Sequence, residues 1–213
     1  SRSKTSNPFS TGSDTGCPAS NGSSWGGCTI NFRGNSREEI LKRAEKSALD
    51  EFVTEVSKGL GKVSDADEAT RVVQKAIPRL LGDRAWLAAE HRNPSAREFT
   101  RSLIYRHPDL GFAVVATVWK PGQGTPVHDH GGVWGVEGVL EGTVRVIQYD
   151  VVGTEHSDEE IRIRQGRRIE ARPGDIERLV PPFGHHRMVN VSDTPATTIH
   201  VFGDYPLKPR IYE

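Results

Sequence analysis

The sequence predicts a mainly β fold, an antiparallel barrel or sandwich with helices packed against it from the N-terminal side. After residue 100, short runs follow one another as GFAVVATVW, VWGVEGVL, TVRVIQYDVV, IRIR, DIERLV, HRMVNV and TTIHVF. Apolar and alternating runs of this length are strands. The joints between them, PGQG, EG, RPGD, PPFG and SDTP, are turn sequences, and strands joined this closely pair antiparallel. Ahead of them, apolar residues recur at helical spacing.

Residues 1–35 are dominated by Ser, Gly, Asn and Thr, too polar to form a core and expected to be a disordered or loosely docked arm. Cys17 and Cys28, the chain's 2 cysteines, both fall in this arm and are read as reduced thiols without a function. Residues 36–100 form the helical segment. Ser36 followed by Glu39 fits a capping box, and Ile40, Leu41, Ala44, Ala48, Phe52, Val56 and Leu60 continue at helical spacing. Ser64 is placed to cap a second helix with Ala69, Val72, Val73, Ala76 and Ile77 on its apolar face, bent or ended by Pro78. A short third helix is expected from Asp83 to about His91. Residues 101–213 then form the barrel.

The 213 residues carry 28 basic and 28 acidic side chains. No global field draws such a chain to nucleic acid or an anionic membrane, so the expected partner is a small molecule. No run of about 18 apolar residues is present to span a bilayer, and without an apolar signal core a cytoplasmic protein is expected.

Within the barrel, TPVHDHGGVWG raises the chemistry. On a strand alternate side chains share a face, so His128 and His130 point one way and Asp129 the other, a metal-chelating arrangement. The spacing Gly122, five residues, His128, one, His130, four, Gly135, six, Gly142 resembles the first motif of the cupin barrels, in which a Glu occupies the place of Gly135. Pro182-x-Gly184-x-His186-x3-Asn190 resembles the second cupin motif, shortened by one residue between its Gly and His. The shortening opens a choice between His185 and His186. Asn190 and the HRMVN context favour His186, and leave His185 facing solvent. The implied fold is a single cupin, or double-stranded β-helix, barrel with the N-terminal helices packed against it. With Gly at 135, three neutral imidazoles leave a divalent ion its full charge, and the site should attract an anion. Zinc or nickel accepts three imidazoles as readily as iron.

VWKPGQGTPVHDHGGVWGVEGVLEG, HRMVN and TTIHVFG, spread over residues 97 to 205, resemble the cysteine dioxygenase family of cupin thiol dioxygenases, particularly its bacterial 3-mercaptopropionate dioxygenase branch. The resemblance implies Fe(2+) held by His128, His130 and His186, and a small thiol bound through sulfur. Both atoms of O2 would end on that sulfur as a sulfinate. Cysteine, 3-mercaptopropionate, mercaptosuccinate and ergothioneine remain open as substrates. The two other readings are a cupin metalloenzyme, dioxygenase or isomerase, acting on a non-thiol substrate, and a metal-dependent binding or sensor module.

The chain departs from that family at its Ser-x-His-x-Tyr triad, which here reads Thr198-Ile-His200-Val-Phe202. The resemblance implies that Thr198 and His200 order the groups around the metal, while Phe202 has no phenol to relay a proton. Phe202 is read as pocket wall. For the substrate carboxylate, Phe99-Thr100-Arg101 matches the anchor placement of cysteine dioxygenases and Arg210 approximates that of the other branch; a guanidinium fork suits a carboxylate. Phe99 is assigned to substrate binding with Arg101, and Trp134 is expected on the face of the ligand pair if the strand is unbroken. His91, His107 and His156, and the Arg162, Arg164, Arg167, Arg168 and Arg172 cluster with its interspersed acids, read as solvated surface.

Overall fold

Local hydrogen bonding decides where the helices begin. In the computed structural model, which describes residues 47–95, 97–154, 161–182, 184–205 and 207–212, helix α1 (Ala48–Leu60) starts at Ser47. The Ser47 hydroxyl accepts the Asp50 N–H at 3.2 Å, and the Asp50 carboxylate takes the Ser47 N–H at 3.1 Å. Ser47 is extended, so α1 begins there; Ile40, Leu41 and Ala44 of the periodic run lie outside the described residues. The arm with Cys17 and Cys28, the Ser36–Glu39 cap and His156 lie outside the described residues.

Helix α2 (Ala66–Ala76) is capped by Asp65, whose carboxylate accepts the Glu68 N–H at 2.8 Å, one residue later than expected. Pro78 then opens the short α3 (Pro78–Leu81), where its missing N–H costs nothing. The helix expected from Asp83 does not form. Asp83 folds back to accept the Ala85 N–H at 2.8 Å, and only a 3-10 turn at Ala89–Arg92 follows. Such a local side-chain bond competes with helix nucleation, and Leu87 is buried by the turn it creates.

The strands are β1 (Thr100–Arg106), β2 (Ala113–Trp119), β3 (Val127–His128), β4 (Gly135–Glu141), β5 (Val144–Thr154), β6 (Ile161–Ala171), β7 (Ile176–Leu179), β8 (His185–Asn190), β9 (Ala196–Phe202) and β10 (Ile211–Tyr212). They form two five-stranded sheets, ordered β1-β2-β9-β4-β7 and β10-β3-β8-β5-β6. The antiparallel pairs are nested: β5 with β6, outside it β4 with β7, then β3 with β8, then β2 with β9. Successive pairs alternate between the sheets, which is the winding of a double-stranded β-helix. The protein is a cupin-type barrel with helices on one side.

Parity divides the first sheet between two cores. Val114, Ala116, Val136, Leu140, Ile199 and Val201 face outward and pack on Phe52, Val56, Val73, Ile77, Leu80, Leu81 and Leu87. Each fully buried side chain of this kind is worth about 1.5–3 kcal/mol, so apolar burial is what holds the helices to the barrel. The part-exposed Arg178–Asp67 pair at 2.7 Å orients α2 over β7. The other parity points into the barrel, where Trp119, Val139, Val144, Val146, Met188 and Ala196 close one end. Among the described residues no helix is long and apolar enough to cross a membrane.

Candidate metal centre

Two facing rows of paired residues build the centre. On the second sheet His128 pairs with His186, and His186 with Gln148. On the first sheet Val115 pairs with His200, His200 with Glu137, and Glu137 with Glu177. The rows meet across the interior, where Gln148 Nε2 donates to Glu177 Oε1.

His128, His130 and His186 come together there, each buried, with one ring nitrogen apiece inside a group spanning no more than 4.8 Å. The ring centroids are 4.9 to 5.2 Å apart. His130 is brought there by a different route from the strand parity that predicted it, since β3 ends at His128. Asp129 instead pins the turn: its Oδ1 accepts the N–H groups of Gly131 and Arg210, both at 2.9 Å, and its Oδ2 the Tyr212 hydroxyl at 2.9 Å. Burial alone would raise Asp129, but those donors hold it below the ordinary carboxylate value.

The nitrogens are free to bind an ion. His128 Nδ1 lies 3.1 Å from the Pro126 carbonyl and donates to it, which leaves Nε2 as the lone pair. Neither nitrogen of His186 has a partner. Burial, with the neighbouring histidines adding to it, pushes His186 down to about 3, and burial with His130 lowers His128. Clustered, buried imidazoles, one of them with both nitrogens unpartnered, are the chemistry of a metal site, and these residues fit one.

One acid missing from the motif is nevertheless present. Glu137, two residues beyond Gly135 and therefore on the same face of β4, is 4% exposed. Its Oε1 accepts His200 Nδ1–H at 2.8 Å and stands 3.7 Å from His130 Nε2; Oε2 is 3.9 Å from His186 Nδ1. Burial opposes its charge, but the surrounding histidines outweigh it and keep Glu137 well below the ordinary carboxylate value. The expectation of a site without an acid is thus corrected. Phe202 explains the displacement: its ring, 0% exposed, occupies the space beside Gly135, where a Cβ would lie 2.9 Å from Cδ1. The parity of GVEG held this signal.

Thr198 and His200 are part of the same buried chain. Trp119 Nε1 donates to Thr198 Oγ1 at 3.0 Å, Thr198 donates to His200 Nε2 at 2.7 Å, and His200 Nδ1 donates to Glu137. One tautomer of His200 satisfies each of these three hydrogen bonds. The phenol absent at Phe202 is not replaced by Tyr212, which donates to Asp129 and lies 3.2 Å from His185 Nε2. Burial and Asp129 push Tyr212 up to about 12, so it remains a phenol. His185, expected to face solvent, is only 8% exposed because Tyr212 covers it edge-on at 5.1 Å; it stands apart from the three-histidine group.

His130 and His186 open onto a cleft of about 1150 Å³, whose walls include Gln148, Glu177, Leu179 and Tyr212 and whose rim carries Lys208 and Arg210. Arg101 does not line this cleft; it is exposed on edge strand β1, paired with Thr117, and its charge helps lower His128. Two expected substrate contacts are corrected. Phe99 packs at a tilt against Trp119, ring centroids 4.8 Å apart, at the closed end of the barrel. Trp134 packs into the helix-side core and over Gly203, because the positive-φ residues Gly131 and Gly132 break the strand on which its parity was counted. Phe202 stacks on His130 at 5.6 Å and on His200 at 5.7 Å.

These shifts set a pH dependence for the metal-stripped protein. An unfolded chain takes up protons on His128 and His186 near about pH 6.5, whereas the folded chain resists until lower pH, so stability present above that value is lost on acidification. Glu137 adds loss below about pH 4.5, while Glu177, raised by burial and by Glu137, acts in the opposite sense. Melting of chelator-treated protein should therefore shift to lower temperature between about pH 7 and 5. A constant or rising Tm across that range would contradict this.

No protein-family model matches the chain. An uncharacterised conserved protein with a double-stranded β-helix domain from Klebsiella pneumoniae is 21% identical over 58% of this chain and 87% of its own, with a TM-score of 0.43. A Cupin 2 conserved barrel domain protein from Salinispora arenicola is 20% identical over 50% of this chain and 76% of its own, TM-score 0.37. An oxalate oxidase in complex with the substrate analogue glycolate is 20% identical over 61% of each chain, TM-score 0.40.

Proposed function

We propose that the protein is an iron(II)-dependent thiol dioxygenase that converts a small carboxylate-bearing thiol to its sulfinate. The observation that carries this reading is the cluster of three buried imidazoles, two of which, His130 and His186, line a cleft that also carries Lys208 and Arg210. In the reaction a thiol and dioxygen give a sulfinic acid: two S–O bonds form, the O–O bond breaks, and sulfur supplies all four electrons, so no external reductant is needed. Iron(II), when bound, would supply a centre that takes the thiolate and activates dioxygen.

The chain's residues do the rest. His128, His130 and His186 would hold the ion. The Arg210 guanidinium and the Lys208 ammonium of the cleft suit the substrate carboxylate, with Arg101, whose charge reaches His128, the alternative anchor. Phe202 and Leu179 keep the region around His130 apolar, and the Trp119–Thr198–His200 chain fixes the Glu137 carboxylate. The test is anaerobic iron loading followed by dioxygen uptake with cysteine, 3-mercaptopropionate, mercaptosuccinate, ergothioneine and cysteamine. Expected are equal molar consumption of thiol and dioxygen, both oxygens in the product, and poorer turnover of cysteamine, which lacks the carboxylate. Iron bound without uptake on any thiol would reject the reading and leave the non-thiol or binding roles.

A further inference from the structure

We propose that Glu137 is a fourth protein ligand of the metal, supplied from β4 two residues beyond the position where the cupin motif carries its acid. This rests on the metal site proposed above.

Three observations converge on it. First, the acid cannot come from 135, because the Phe202 ring already fills the space a side chain there would need. Glu137, the next residue of the same parity, reaches the same interior. Second, its environment is unfinished. Oε1 has one donor, His200 Nδ1–H, while Oε2 is buried without a partner. A buried carboxylate with an empty oxygen is costly unless a cation completes it. Its ion-pair neighbours are all histidines, His130, His186 and His200. Two of these have nitrogens offered to the ion, within 3.9 Å of the carboxylate. Third, the atoms left unpartnered in this part of the interior match one another: Glu137 Oε2 and both nitrogens of His186. A single divalent ion would satisfy Glu137 Oε2 together with one of the two His186 nitrogens, Nδ1 of which stands 3.9 Å from that oxygen.

The Trp119–Thr198–His200 chain then has a defined task. It holds Oε1 so that Oε2 stays turned to the histidines, the arrangement in which an outer hydrogen bond orients a metal-binding carboxylate. The assignment also narrows the substrate class. Three imidazoles and a carboxylate leave about two positions on a six-coordinate ion, so a thiol has room to attach through sulfur alone. Its carboxylate is then held by cleft cations such as Arg210 and Lys208.

Cobalt(II) loading of the intact protein tests this without recourse to turnover. In a crystal structure of the cobalt protein a Glu137 oxygen should lie within about 2.2 Å of the ion. Glu137→Gln, which keeps the shape of the side chain, should bind cobalt(II) at least roughly tenfold more weakly in chelator competition while its far-UV spectrum is unchanged. Cobalt held by the three histidines with both Glu137 oxygens beyond about 3 Å, or unchanged affinity in a folded Glu137→Gln, overturns the assignment and leaves the three-histidine reading intact. Failure of the intact protein to bind cobalt(II) or iron(II) overturns both.

Discussion

Alanine at His128, His130 or His186 is expected to abolish metal retention, and with it dioxygen uptake, whereas His185→Ala keeps the ion. The contrast is sharpest on β8, where the two neighbouring histidines leave opposite faces of one strand. His186 is 1% exposed with both nitrogens unpartnered beside Glu137; His185 turns to the Tyr212 hydroxyl. Losing even a group that only supports a ligand weakens metal sites about 10–100-fold, and losing one ligand of this set should exceed that range. Hydrogen bonding in the metal-free protein separates the two residues in the other direction. Removing His186 from the metal-free protein deletes no hydrogen bond, while removing His185 uncovers Tyr212 and breaks a contact worth about 1 kcal/mol. Metal analysis and melting of the four purified variants, each with and without chelator, check both halves. Iron kept by His186→Ala but lost from His185→Ala would overturn the ligand assignment.

The barrel was legible because strand parity and turn chemistry agree over most of residues 111 to 202. The strands starting near Ala113, Gly135, Val144, Ile176, His185 and Ala196 stand where the alternation placed them. Strands β1, β3 and β10 were not. TRSLIYR alternates weakly because its edge position leaves Arg101 and Leu103 exposed, and β3 and β10 are two residues each, too short to leave a period. The helix expected at Asp83 failed for a local reason, the Asx-type turn onto Ala85.

The site was legible where one strand carries it and illegible where two strands share it. His128 and His186 are named by spacing, but their meeting depends on the β3–β8 pairing. Glu137 is hidden because the motif puts its acid at 135, and nothing in a linear pattern says that a ring from β9 fills that space. Parity counted through Gly131 and Gly132 puts Trp134 on the wrong face, because their positive φ values of 62° and 78° turn the chain out of the strand. Tyr212 and His185 show the same limit, since their contact joins residues 27 apart in sequence.

Restoring the motif's acid is expected to damage the protein. Gly135→Glu must place a Cβ 2.9 Å from Cδ1 and 3.0 Å from Cε1 of Phe202, distances that real contacts do not tolerate. The ring has nowhere to go, because it is fully buried and stacked on both His130 and His200. Overpacking of this kind costs about 1–3 kcal/mol. A further carboxylate beside Glu137 and Glu177 adds the repulsion and desolvation of a buried charge, typically several kcal/mol. In a chain of this size the sum corresponds to a Tm lowered by roughly 10 °C or more. If the ring is what excludes the acid, Phe202→Ala should partly relieve the effect. Alone it costs about 3–5 kcal/mol as a cavity, but in the double variant the losses should fall short of additivity by at least about 1 kcal/mol. Denaturant melts of the wild type, the two single variants and the double variant measure that difference. Additive losses would mean that Phe202 does not govern position 135, and the displacement of the acid to Glu137 would then need a cause other than the ring.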